Sequence, residues 1–168
     1  PMCAEMIAHL NIDESKTVLD FGCAKGYSVK AFRLLYRNAY GVDISSYATS
    51  SAPSEVLPYI HLINPGDDIP LINNTAYDWT IAKDVLEHVD YTDIKSVLSK
   101  IRAATKNLFV IVPLGKDGKY VVPAYDLDVT HRIREPLEWW ENTVKECGFN
   151  VQESTYSVKH IKNNWASW

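Results

Sequence analysis

The stretch VLDFGCAKG, residues 18–26, restricts the fold of this chain more than any other feature. Its first half, Val18-Leu19-Asp20-Phe21, is a short apolar run carrying a single carboxylate, the pattern of a parallel strand inside a sheet. Its second half is a glycine turn. Gly22 and Gly26 stand where the strand tip must fold sharply into a helix beginning near Tyr27, and a residue without a Cβ lets the backbone approach a ligand closely. A strand, a glycine loop and a helix N-terminus together aim backbone N–H groups and the positive end of a helix dipole at whatever lies above the strand. This is a nucleotide-binding geometry.

The spacing narrows the nucleotide. In place of the dinucleotide pattern GxGxxG, the chain has Asp20, Gly22, Ala24 and Gly26, an acidic residue two before the first glycine and then small residues at alternate positions. A second signal follows about twenty residues on, the spacing a βαβ nucleotide site requires. There AYGVDIS, residues 39–45, reads as a strand ending in Asp43-Ile44, and a carboxylate at that tip can accept both ribose hydroxyls. A third is DWTIAKDVLEHV, residues 78–89, a strand followed by a turn. A glycine pair after an apolar strand is by itself an ordinary βα turn, and Asp43 alone would be a helix cap. Three such signals in order at successive strand ends are far more specific than one.

Together these motifs resemble those of the Rossmann-like S-adenosylmethionine-dependent methyltransferases, whose first motif is written (D/E)xGxGxG, and within them the UbiE-like small-molecule branch. Ala24 replaces the middle glycine. The resemblance implies an α/β fold, a doubly wound, mostly parallel seven-stranded sheet with a C-terminal antiparallel hairpin strand, as one domain over residues 1–168. It also implies S-adenosylmethionine as cofactor and S-adenosylhomocysteine as product. Carried over residue by residue, the cofactor contacts fall on Asp20, Gly22, Cys23, Ala24, Gly26, Asp43, Ile44, Lys83, Asp84 and Val85. In the turn-rich segment 64–78, the family's adenine-binding acid aligns on Pro65, which offers neither carboxylate nor donor. Asp67 or Asp68 then stands in for it, or is a solvated turn aspartate. Lys83 replaces a small residue and sets a positive charge where a cationic sulfonium is expected.

Composition agrees with one core and excludes several classes. The 168 residues are 46% hydrophobic, enough for one buried core and too few for two comfortable domains. The net charge is −4 and the basic residues are scattered, so the footprint of a duplex nucleic-acid binder is missing. Cys3, Cys23 and Cys147 are widely spaced without a CxxC pair, which indicates neither a disulfide framework nor a zinc site. No apolar run approaches the ~18 residues of a membrane span and no signal-peptide pattern opens the chain, so a cytoplasmic protein is the expectation. The start at Pro1-Met2 leaves open a chain that is processed or cut from a longer parent.

Periodicity places the elements. Helical spacing covers 2–10, 27–36 with Val29, Phe32, Leu35 and Tyr36 inward, and 91–104 with Ile94, Val97, Leu98 and Ile101 inward. Residues 45–52 begin a helix that Pro53 stops. Strands are expected at 17–21, 39–42, 59–63, 79–82 and 108–112, the last a fully buried run. Pro136 opens a helix with Leu137, Trp140, Val144 and Cys147 inward, and Gly148 ends it. Two closing strands are expected at 149–156 and 157–161, with Trp165 and Trp168 packing the tail.

Between the fifth strand and Pro136 lies a connection, residues 114–135, about twice the ordinary length. A loop at that end of a parallel sheet usually carries function. Asp128, Thr130 and His131 match a DxTH pattern of small methyltransferases that resemble this one, which makes Tyr125, Asp128 and His131 the substrate-binding candidates. His131 is either a general base for a hydroxyl or a hydrogen-bonding group of its own loop. His88, in the DVLEHV turn, is the second catalytic candidate or a turn cap. Asp126, Asp128 and His131 could ligate a hard cation, but three ligands from one loop without partners elsewhere assign no metal. The amino-methylating (D/N)PP(Y/F) signature is missing after the fourth strand, where Lys83-Asp84-Val85-Leu86 stands. Base methylation of that kind is not expected, and the resemblance to the small-molecule branch implies a small-molecule acceptor such as a saccharide or other polar metabolite. A non-catalytic cofactor-binding partner subunit of another methyltransferase is the alternative. Oligomeric state is open.

Overall fold

A computed structural model describes residues 2–162. The chain divides into two compact units, one formed by residues up to 83 with 103–110 and the other by 84–102 with 111 onward.

The first unit is built on a sheet ordered β3-β2-β1-β4-β5. Strand β1 (Thr17–Phe21) is central, with parallel partners β2 (Asn38–Asp43) and β4 (Tyr77–Lys83) on its two sides, and β3 (Ile60–Leu62) runs parallel to β2. That position explains the continuous Val18-Leu19 run, since neither face of a central parallel strand meets water and both residues are buried. Strand β5 (Thr105–Ile111) closes the order, its last residue counted with the second unit. Asp78, at the start of β4, ties three strands together: it accepts from the Thr17 amide at 2.9 Å and from Lys106 Nζ at 2.8 Å.

Helix α1 (Met2–His9) buries Cys3 and Met6, and α2 (Tyr27–Leu34) buries Val29 and Phe32. The expected inner stripe of α2 stops there. Leu35 is 37% and Tyr36 80% exposed, because the Arg37 amide bonds back to Phe32 O and the Tyr36 amide to Arg33 O, with Tyr36 at φ 58°. This Schellman closure turns the chain off the helix before the next apolar positions come round. Helix α3 (Ser46–Ser50) begins at Ser45, whose hydroxyl accepts from the Ala48 amide, and ends before Pro53.

In the second unit, α4 (Ile94–Ala104, its last two residues counted with the first unit) buries Ile94, Leu98 and Ile101. The long connection is not structureless. Strands β6 (Gly115–Lys116) and β7 (Lys119–Tyr120) form an antiparallel hairpin over Asp117-Gly118, both at positive φ, the turn chemistry of a two-residue hairpin. An added Cβ at Gly115 would overlap the Arg134 backbone, so the hairpin lies directly against the return segment. A 3₁₀ turn spans Pro123–Leu127, and α5 (Leu137–Glu146) follows Pro136 with Trp140 and Thr143 buried; Gly148 at φ 87° ends it.

The mostly parallel α/β sheet is as expected, but its size is not. It has five strands among the described residues, and the antiparallel hairpin sits at 115–120, not at the C-terminus. Over 149–161 no strand forms, only an isolated bridge between Val158 and Lys162. The stretch is rich in Ser, Thr, Gln and Asn without strict apolar alternation, so no face of it demands burial. Leu108, Phe109 and Val110, expected to be fully buried, are half-buried on the last strand of the order. Trp165 and Trp168 lie outside the described residues. No helix among those residues is long and apolar enough to cross a membrane.

Candidate functional site

The sequence candidates fall into two groups, one in each unit. In the first unit Asp20 sits between Gly41 of β2 and Ile81 of β4 and is 7% exposed. Burial, reinforced by the charge of Asp43 and opposed by Lys83, pushes its carboxyl up from 3.8 to about 7. Lys83, awkward in the sequence beside a cationic ligand, is thus a countercharge for a buried acid. Cys23 is 6% exposed, and burial followed by the charges of Asp20 and Asp43 pushes its thiol far up, so it packs and does not react. A Cβ at Gly41 would lie 2.6 Å from Cys23 Sγ, which is why β2 carries glycine opposite the loop.

The loop itself holds three residues at positive φ, Gly22 at 77°, Ala24 at 47° and Gly26 at 71°. The amides of Gly22, Cys23, Ala24 and Gly26 are not aimed outward as the motif suggests. Those of Gly22 and Cys23 bond to Val42 O, that of Gly26 to Cys23 O, and that of Ala24 to Asp43 Oδ2 at 2.7 Å. Asp43 Oδ1 accepts from the Ser45 amide at 2.8 Å, so one side chain links the glycine loop to the start of α3 and is fixed in orientation. Ala24 in the left-handed region is strained by its Cβ. Ala24→Gly is expected to stabilise the protein by about 0.5 to 1 kcal/mol in denaturant melts, the steric relief exceeding the entropy of the added glycine. An unchanged or lowered midpoint would show that the left-handed turn carries no such strain.

Ile44, directly after Asp43 in the chain, is 62% exposed. Asp67 Oδ2 accepts from the Asn64 amide at 2.8 Å and from Asn64 Nδ2 at 2.9 Å, which makes it a part of its own turn.

In the second unit Asp84 takes φ 51° and its amide bonds to Ile111 O at 2.8 Å, followed by Val85 and the 3₁₀ turn Leu86–His88. That turn is fastened to the far end of the long connection, because Glu87 O accepts from the amides of Arg132 at 2.7 Å and Ile133 at 3.0 Å. His88 and His131 are thereby brought together, ring centroids 4.6 Å apart. His131 is 7% exposed, packed on Tyr120 and Tyr125, and its Nδ1 is 2.8 Å from Tyr125 O. His88 Nδ1 is 2.9 Å from Thr130 Oγ1, which donates to Asp128 Oδ1 at 2.6 Å. Asp128 is therefore the end of a relay to His88. Desolvation, then the neighbouring His131, holds the His88 imidazole below its ordinary value.

Tyr125 lines a small, largely apolar pocket with Leu114, Val121, Val122 and Tyr156, and its hydroxyl accepts from Lys162 Nζ at 2.6 Å. Sequence reasoning missed Glu87 and Lys162, and it gave Thr130 no role beyond its place in the DxTH pattern. Glu87 is fully buried, yet in the chain it is one charged residue in a turn, and nothing in its spacing marks burial.

The chain matches a family described as a methyltransferase domain over residues 3–163. No curated protein sequence matches it at a significant level. Among solved structures, it superposes on a Haloferax volcanii protein determined in complex with the Trm112 methyltransferase activator at TM-score 0.72 and 17% identity, covering 92% of this chain and 70% of that one. An S-adenosylmethionine-dependent methyltransferase from Archaeoglobus fulgidus superposes at 0.65 and 16% identity, covering 88% and 67%. The [4+2]-cyclase SpnF superposes equally well, at 0.65 and 16% identity, covering 89% and 57%. Likeness at such identity carries the fold and leaves the reaction to the site.

Proposed function

Since this chain belongs to the methyltransferase domain family and its cofactor is S-adenosylmethionine, we propose that it transfers the methyl group to a hydroxyl of a small molecule, a saccharide or other polar metabolite being the class proposed. The observation that carries this reading is the group formed by Asp20, the 22–26 loop and Asp43, with Asp43 held by the Ala24 and Ser45 amides. Asp43 is proposed to accept the ribose hydroxyls, and ionised Asp20 to attract the cationic methionine end. Asp84 and Val85 continue the chain from β4, whose C-terminal end is where ligands bind in open α/β sheets.

A sulfonium is already activated. The protein has to align nucleophile, methyl and sulfur and exclude water, and few groups need to take part chemically. The acceptor-side groups are His88 and His131, with Tyr125 and its apolar pocket holding the acceptor's body and Asp128 positioning His88 through Thr130.

Calorimetry with S-adenosylmethionine and S-adenosylhomocysteine, followed by methyl release against a metabolite panel, tests the reading. Binding of neither would remove it, and binding without turnover on any acceptor would point to a partner subunit. Asp43→Ala is expected to lower cofactor affinity at least about tenfold, since it deletes charge-assisted hydrogen bonds of roughly 1.5 to 3 kcal/mol each and frees the Ala24 amide. Undiminished affinity in that variant would mean the ribose is held elsewhere.

A further inference from the structure

We propose that Glu87, His88 and His131 form a binding site for a first-row divalent transition metal ion. The three side chains come from two segments distant in sequence, and one ligand atom from each lies within 4.8 Å of the other two. His131 Nε2 is 4.0 Å from Glu87 Oε1. Ligand atoms about 2.1 Å from a common ion lie roughly 3 to 3.5 Å apart, so side-chain rotations of about an ångström close the set.

The hydrogen bonds around the two rings set their tautomers. Tyr125 O is a carbonyl and can only accept, so His131 Nδ1 carries the proton it donates there. Thr130 Oγ1 has one proton and gives it to Asp128 Oδ1, so toward His88 it can only accept, and His88 Nδ1 also carries a proton. In each neutral ring the lone pair is then on Nε2. Ligating histidines are held in this way, with the distal N–H donated to a carbonyl or to a carboxylate-linked group that fixes the ring. Two Nε2 lone pairs and one carboxylate are the donor set that binds zinc, iron or cobalt with positions left open. The backbone prepares the geometry, because both amides that bond to Glu87 O belong to the residues directly after His131. Glu87 is a fully buried carboxylate against two imidazoles, and an ion there would neutralise it.

This site needs only the fold. Its use rests on the methyltransferase reading, where the ion would supply Lewis acidity to the acceptor hydroxyl. It also answers why Asp126, Asp128 and His131 alone made a poor metal site: the ligands that join His131 are on the Leu86–His88 turn.

The test uses the full chain, stripped with chelator and titrated with Zn²⁺ by calorimetry and with Co²⁺ by visible absorption. One ion per chain is expected, with cobalt bands of a four- or five-coordinate nitrogen and oxygen site. Glu87→Gln and His88→Ala should each weaken binding at least tenfold. Thr130→Val, which touches no ion, should weaken it about 10- to 100-fold through loss of the tautomer lock. Glu87→Gln alters a buried group and can fail to fold; His88→Ala, at a side chain that reaches solvent, then decides, with circular dichroism as the check. Absence of stoichiometric binding by the native chain, or native affinity in both ligand variants, overturns the proposal. S-adenosylmethionine affinity is measured separately on the same samples, so loss of the metal site and loss of the cofactor reading are distinguishable.

Discussion

Asp20→Asn is expected to raise the melting temperature of the ligand-free protein at pH 8, leave it nearly unchanged at pH 4, and lower S-adenosylmethionine affinity about a hundredfold. The reason is the carboxyl's shift from 3.8 to about 7, caused first by burial and next by Asp43. Between those values the folded protein holds a proton that the unfolded chain has released, so stability from this group is present below about pH 4 and is lost as pH rises through 7. Above that, the folded state carries a buried anion, opposed by Lys83, at a penalty on the order of 4 kcal/mol as an upper bound. Asparagine keeps the shape and removes the penalty, but it also removes the anion proposed to meet the cationic end of the cofactor; a missing charged partner in a buried site typically costs several kcal/mol. Binding should accordingly release a proton near pH 6 to 7, seen as a dependence of the calorimetric heat on the buffer's ionisation enthalpy. A variant that binds as the native protein does would remove Asp20 from the cofactor site, and one that melts lower at pH 8 would show that the buried carboxylate carries no such penalty.

Gly26→Ala should destabilise by about 2 to 5 kcal/mol and abolish measurable cofactor binding. Gly26 is at φ 71°, where any Cβ is strained by roughly 1 to 2 kcal/mol. The added Cβ would also overlap Ile60 Cδ1 and come within 3.3 Å of Ile60 Cγ1, and overpacking of this kind costs about 1 to 3 kcal/mol. The two terms separate in a double-mutant cycle. With Ile60→Ala as background the overlap vanishes and the φ term remains, so a favourable coupling of about 1 to 3 kcal/mol is expected in urea melts. Strict additivity would show that the loop and β3 do not meet there. Cofactor binding should stay weak in the double variant, since the loop's left-handed turn is still opposed.

The first-unit group was largely legible because its signals are local. A glycine whose φ must be positive and an acid at a strand tip occupy adjacent positions in the chain, and the central place of β1 follows from an apolar run that no half-exposed strand could tolerate. The direction of the loop amides was not legible. Their partners, Val42 O and Asp43 Oδ2, are on another strand, and the motif is silent about which acceptor wins. The end of α2 was misread for a similar reason, since a period of 3.6 continues through Leu35 and Tyr36 while the Schellman bonds do not.

By itself the sequence determined the parallel α/β class, the order of its motifs, and the acids and glycines that stand at the ends of β1 and β2, because periodicity, glycine and strand-tip acids act within a few residues of one another. Tertiary structure alone decided that the closing strands are absent from 149–161, that the hairpin is at Gly115–Lys116 and Lys119–Tyr120, and that Lys83 acts against the burial of Asp20 without cancelling it. It alone joined Glu87 and His88 to His131, through backbone bonds across more than forty residues. Burial, countercharge and tautomer depend on which groups are brought within a few ångströms, and that distance is a property of the folded chain.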